Sequence, residues 1–259
     1  MRRPRLSFAT SKATLLLLVV ATGISFGIVS CSKDDSTKEN PGVTQDQAAS
    51  VVSQTFVNQG GITEQLGTAT TAVVALQARK ADGGKLSDFC GKSTDGSISH
   101  AGTSEGVSYD YKLSWLYTLA CNGTAPNAVP YQFTFTFNGK TSIETSKFAT
   151  VDSATAKYYV RGLGETSPAW EVSQTFDRAG KFVSKTTDLP SFTSAVHYES
   201  SNIKIDKQSH EIVSGTATVK ITGADSKGNA FKYEGTITFQ GNKKAVFAVT
   251  GGSNFNLNW

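Results

Sequence analysis

The stretch VSYDYKLSWLYTLAC, Val107 to Cys121, decides the fold. Val107, Tyr109, Tyr111, Leu113, Trp115, Tyr117, Leu119 and Cys121 alternate along it with Ser108, Asp110, Lys112 and Ser114. Successive side chains of a strand point to opposite faces, so a period of two held this long predicts a strand with one buried face. Tyr131, Phe133, Phe135 and Phe137 repeat the pattern beside Gln132, Thr134 and Thr136. The loop between the two runs carries Pro126 and Pro130, and Asn138-Gly139 reads as a hairpin turn after the second.

Downstream, shorter strands are predicted at 158–161, 169–176, 182–186, 203–206, 212–222, 231–240 and 245–250. The turn chemistry of Arg178-Ala-Gly180, Ser226-Lys-Gly-Asn229 and Gly241-Asn242 connects several of them. Short connections make consecutive strands antiparallel neighbours, hence a meander, and the lack of helix-length insertions excludes a parallel α/β sheet.

Upstream the period is helical. Thr44-Gln-Asp-Gln47 is a capping box, followed by Ala48, Val51, Val52 and Phe56, and Gly60-Gly61 ends the helix. A second helix carries Ile62, Leu66, Ala69, Val73 and Leu76 on one stripe. The expected fold is therefore α+β and β-rich, a large curved antiparallel meander over residues 107–259 covering a two-helix hairpin over 44–80. A sandwich or closed barrel of the same strands is the competing architecture.

The N-terminus reads as an address. Arg2, Arg3, Arg5 and Lys12 precede the apolar run Ala13 to Ala21, the layout of an export signal over residues 1–30. Ile28-Val29-Ser30-Cys31 resembles the lipobox of bacterial lipoproteins, and the resemblance implies diacylglyceryl attachment at Cys31, cleavage before it and anchoring in a membrane. Ser32-Lys33-Asp34-Asp35 resembles the tag that carries some Gram-negative lipoproteins to the outer face of the outer membrane. Residues 31–43 are expected to be a polar tether, leaving one domain from 44 to 259.

Four of the 25 basic residues lie in the signal, so 21 remain against 21 acidic ones. With no Lys/Arg cluster, a nucleic-acid partner is not expected. Cys90 and Cys121 form an even pair beside the acylated cysteine, and a disulfide is expected in an oxidising compartment. His100, His197 and His210 show no ligand spacing, so neither a metal nor another cofactor is expected.

Chemistry-bearing motifs are absent: no nucleophile elbow, phosphate loop, dinucleotide fingerprint or zinc-protease helix occurs. Gly162 and Gly164 lack a following helix and read as strand-end turns. No catalytic residue is assigned, although Glu144, Glu165, Glu171 and Asp177 leave a hydrolase with dispersed carboxylates as an alternative. Asp35-Ser36-Thr37 and Asp152-Ser153-Ala154 resemble the O-glycosylation triplet of some Gram-negative bacteria, making Ser36 and Ser153 candidates for modification.

The chain resembles in outline the uncharacterised lipoproteins that join a lipobox, a tether, two helices and a long meander. In shape it resembles the lipoprotein carriers, in which a half-barrel wraps helices around an acyl-binding cavity. Small helix side chains facing a large aromatic sheet leave two outcomes, a sheet curled tightly onto the helices or a cavity. A cavity would be lined by Trp115, Tyr117, Phe133 and Phe135, with Leu66 and Val73 opposite. The expected role is a non-enzymatic envelope lipoprotein at the outer membrane, binding an apolar ligand, a glycan or another envelope protein. A small membrane barrel is a further alternative, because Asn254 to Trp259 ends on an aromatic.

Overall fold

The computed structural model describes residues 42–57, 60–81, 86–124, 127–164, 166–187 and 189–259. The segment 1–30 read as an export signal, together with Cys31, Ser36, Pro126 and Glu165, lies outside the described residues.

Helix α1, Gln45–Val57, opens on the capping box: the Thr44 amide donates to Gln47 Oε1 at 2.9 Å and the Gln47 amide to Thr44 Oγ1 at 3.3 Å. Helix α2 is Ile62–Ala81. Gly60, at φ +76°, makes the turn between them, and Thr63 Oγ1 donates to the Phe56 carbonyl at 2.7 Å. The stripe Ile62, Leu66, Ala69, Val73 and Leu76 is buried throughout.

Ten strands follow in one sheet whose spatial order is the sequence order, every neighbouring pair antiparallel. They are β1 Ser93–Ser104, β2 Val107–Asn122, β3 Val129–Glu144, β4 Phe148–Arg161, β5 Ala169–Ser184, β6 Phe192–Asp206, β7 Ile212–Asp225, β8 Ala230–Gly241, β9 Lys244–Val249 and β10 Asn254–Asn258. The sheet is open, with β1 and β10 as its edges. A membrane barrel is thereby overturned, since open edges leave backbone groups that hydrocarbon cannot satisfy. The closed-barrel architecture falls with it.

The helices pack on one face. Phe56 meets Tyr198, Phe239 and Trp259 with ring centroids 5.5, 6.0 and 6.4 Å apart. The aromatic row continues through Tyr117, Phe133, Phe135 and Phe137, with Phe135 and Phe137 at 4.5 Å.

Three expectations about the sheet are corrected. It begins at Ser93 rather than Val107, because β1 (STDGSISHAGTS) has no apolar alternation to read and lies at an edge with little buried surface. Asn138-Gly139 and Arg178-Ala-Gly180 are not turns; they sit inside β3 and β5. The short strands predicted at 158–161 and 203–206 belong to the longer β4 and β6, and those predicted at 169–176 and 182–186 are one strand, β5, which ends at Ser184. One physical reason covers most of this: where these strands run under the α1–α2 turn, the helix-side positions are Gly139, Thr141, Asp152, Arg178 and Gly180, which are not apolar. At Gly180 a side chain would collide with the Asp152 carboxylate directly across the ladder.

Candidate functional site

The expected cavity wall is a packed interface. Phe133 and Phe135 are 0% exposed, Val73 2% and Leu66 3%, so these four side chains offer a ligand essentially no surface. Tyr117 lies half-buried, stacked on Phe133 at 4.9 Å, and the Trp115 indole spreads over Gly96 of β1. Leu66, Val73, Phe133 and Phe135 belong to one core, Trp115 and Tyr117 pack partly buried against it, and the short helix side chains let the helices sit close against the aromatic rows. This corrects the expectation of an acyl-binding cavity among them.

A polar cluster lies where the α1–α2 turn meets the sheet. Arg178 pairs with Asp152 on the neighbouring strand and approaches Ser194 Oγ at 3.4 Å, with side-chain exposures of only 10% and 14% for the ion pair. Burial raises the Asp152 carboxyl above its usual range, and the Arg178 guanidinium only partly offsets this. A hollow of about 30 Å³ bounded by Gly60, Gly61, Thr141, Asp152 and Arg178 adjoins the pair, roughly the space of one water. Its size fits a structural junction and no larger ligand.

Among the described residues the opposite face of the sheet carries no helix, and it presents ordered polar rows. Strand pairing aligns Thr155, Asp177, His197, Lys220 and Glu234 across β4 to β8. The adjacent row is Ser153, Ala179, Ala195, Thr222 and Lys232. His197 Nδ1 lies 2.7 Å from Asp177 Oδ1, and Glu234 takes Lys232 at 2.9 Å and Lys220 at 3.9 Å. Lys232 and Lys220 hold the Glu234 carboxyl below its ordinary value.

Two hollows of about 460 Å³ each open on this face. One runs from Ser153 and Thr155 over Ala179 and Ala195 to His197 and Lys220, and the other from Ser153 and Ala179 to Lys140, Lys112 and Asp110. They share Ser153 and Ala179, so together they form a trough across the strands. Its floor is low because Ser153, Ala179 and Ala195 are small, and its flanks are mostly hydrogen-bonding side chains, with the exposed Val151 as an apolar exception.

Ser153 is exposed at the middle of this trough, while Asp152, the acidic member of its triplet, turns to the other face and pairs with Arg178. The other candidate carboxylates do not converge. Glu144, at the end of β3, is held by Lys185 at 2.8 Å, Glu171 is an exposed residue of β5, and Asp177 binds His197. Ser153 stands two strands from His197 and one row away, about 12 Å between Cα atoms at normal strand spacing and rise, too far to form a nucleophile–base pair. Among the described residues no group of three His, Cys, Asp or Glu side chains forms a metal site.

Cys90 and Cys121 are joined in a disulfide, as expected, with Cα atoms 5.6 Å apart. It ties the segment before β1 to the far end of β2, where the Gly91 amide also donates to the Leu119 carbonyl at 2.8 Å.

Comparison with known protein families, curated proteins and solved structures finds no match. The trough therefore stands on its own chemistry. Sequence reasoning weighed His197 only as a metal ligand and Ala179 only within an expected turn, and passed over Lys220 and Ala195; their signal was the solvent-facing half of each strand's alternation. Only the register shows which of them are neighbours.

Proposed function

We propose that this chain is a lipid-anchored, non-enzymatic binding module of the bacterial envelope, and that its trough on the bare sheet face holds a polar, extended ligand of the glycan type. The observation that carries the reading is the pair of adjoining hollows centred on Ser153 and Ala179. Hydroxyls from Ser153, Thr155 and Thr222, the Asp177–His197 pair and the lysine ammonium groups supply donors and acceptors along one line. A hydroxyl-rich chain matches that inventory better than an acyl chain does, because hydrocarbon would desolvate the hydroxyl and charged groups at the trough's sides without replacing their hydrogen bonds, whereas a sugar can meet them and lay its C–H face on the alanine floor. The apolar-carrier alternative loses its support with the packed core.

Anchoring rests on the lipobox and on Cys31 as the acylated residue, with the outer membrane as the location and the membrane itself as a partner. In the same reading Ser36 and Ser153 are sites for O-linked sugar, and a sugar on Ser153 would occupy the trough itself. Two experiments test the proposal. Cys31→Ala should leave the protein unanchored or unprocessed, and mass spectrometry finding an unacylated N-terminus at another position in the wild type would reject the anchor. Ala179→Arg and Ala195→Arg should fill the trough and abolish retention on purified envelope polysaccharide while leaving the unfolding midpoint unchanged. Equal retention of wild type and both variants, or no retention of any, would reject the trough as a glycan site.

A further inference from the structure

The two edges of the sheet are unlike. β10 is five residues long, whereas β1 runs for twelve and pairs with β2 in unbroken register from Ser93↔Thr118 to Ser104↔Val107. Among the described residues no strand pairs with the outer edge of β1. In an antiparallel ladder alternate residues turn their N–H and C=O groups away from the neighbour, so β1 offers a row of unused donors and acceptors. Edges are ordinarily protected by proline, lysine, a bulge or a cover. β1 has no proline, no Lys or Arg and no register shift; Asp95 is its one acidic residue. Ile98, 44% exposed, stands near its centre.

We propose that β1 is a self-association edge, pairing antiparallel with β1 of a second copy of this chain so that the two sheets become one. The side-chain pattern favours a second copy over an unrelated strand because it is self-complementary about Ile98. Faces are kept in register only if opposite residues share a side of the sheet, which allows every second offset. The offset that sets Ile98 against Ile98 of the second copy buries both exposed side chains together. It also sets His100 against Gly96 and Thr94 against Gly102, a larger residue opposite a glycine each time. At Gly96 the space is taken by the Trp115 indole, which an added Cβ would approach to 2.6 Å. The second copy's His100 would therefore meet the Trp115 ring above Gly96 rather than an empty notch. At Gly102 the Tyr109 hydroxyl occupies the corresponding position, 2.8 Å from where a Cβ would be. On the other face Asp95 meets Ala101, so no like charges stand opposite. The next allowed offset would set Gly96 against Gly102 and Ile98 against His100, losing the apolar pair. A two-fold contact of this kind closes at the dimer.

The test uses the full chain purified in detergent micelles. Opposite residues in an antiparallel pair have Cβ atoms about 4.5–5.5 Å apart, within reach of oxidative cross-linking. Ile98→Cys should yield a reducible dimer much faster than Val213→Cys, an exposed control on β7, with wild type as the control for the native cysteines. Sedimentation should give a dimer for wild type, and Ile98→Lys should weaken association by about tenfold or more while matching the wild-type unfolding midpoint at dilutions where both are monomeric. Cross-linking of Ile98→Cys no faster than of Val213→Cys would overturn the proposal. So would a wild type that stays monomeric at high micromolar concentration, or one whose assembly grows past the dimer.

Discussion

The Tyr158 hydroxyl donates a 2.9 Å hydrogen bond to Gln65 Oε1, joining β4 to α2 through two side chains that are each 0% exposed. Gln65 Nε2 in turn donates to the Gly60 carbonyl at 2.7 Å, so both ends of the amide are used. Removing one partner of a buried pair leaves the other unsatisfied, and Tyr158→Phe should cost about 1–3 kcal/mol. Tyr198 is equally buried, but among the described residues its hydroxyl makes no hydrogen bond of normal geometry; Gln174 is close enough to lower its pKa somewhat, and burial raises it far more. Tyr198→Phe should be neutral or stabilising. Urea denaturation of the two variants side by side checks the contrast, and a larger loss at Tyr198 would refute it.

Arg178 shields a carboxylate that burial already disfavours. At neutral pH, Arg178→Leu should destabilise by about 3–5 kcal/mol by leaving Asp152 charged and unpaired. The folded Asp152 pKa is raised above its unfolded value, so this group's contribution to stability is complete below the unfolded pKa and is lost as pH rises through the folded one. Lowering the pH toward the unfolded aspartate value of about 4 should therefore recover part of the variant's deficit relative to wild type. Denaturation midpoints at neutral and acid pH decide it, and a deficit that grows on acidification would be the wrong sign.

The disulfide closes a loop between residues 31 apart in sequence. The chain-entropy relation then gives roughly 3–4 kcal/mol of stabilisation. The double replacement Cys90→Ser with Cys121→Ser should lower stability by about that amount. Its near-ultraviolet circular dichroism should otherwise stay native-like, because neither cysteine is part of the Phe56-centred packing.

Phe56 is the main aromatic contact of α1 with the sheet, 1% exposed against Tyr198, Phe239 and Trp259. Phe56→Ala should cost about 3–5 kcal/mol and loosen the C-terminal Trp259, seen as a red shift of tryptophan emission. Unchanged emission with unchanged stability would mean that α1 does not hold that end of the sheet.

Legibility in the sequence followed burial. β2 and the first half of β3 were readable because Tyr111, Leu113, Phe133, Phe135 and Phe137 alternate with polar residues, one side buried and the other wet. The α2 stripe was readable for the same reason, and the Thr44–Gln47 box because capping is local chemistry. β1 was not, since an edge strand with so little buried surface is under no pressure to alternate. Asn138-Gly139 misled because a sequence that favours a tight turn also tolerates an extended backbone, and pairing on both sides with β2 and β4 overrides the local preference.

The residues by themselves determined the two helices, the meander order and the pairing of Cys90 with Cys121, because each depends on periodicity, short turns or counting. Only the tertiary structure decided whether the aromatic rows enclose a cavity, since that depends on how closely helices of small side chains approach the sheet. Only the register placed His197 beside Asp177 and Lys220, residues 20 and 23 positions away in the chain. A one-residue slip would send each of these side chains to the other face, so the trough depends on long-range pairing that no local signal carries.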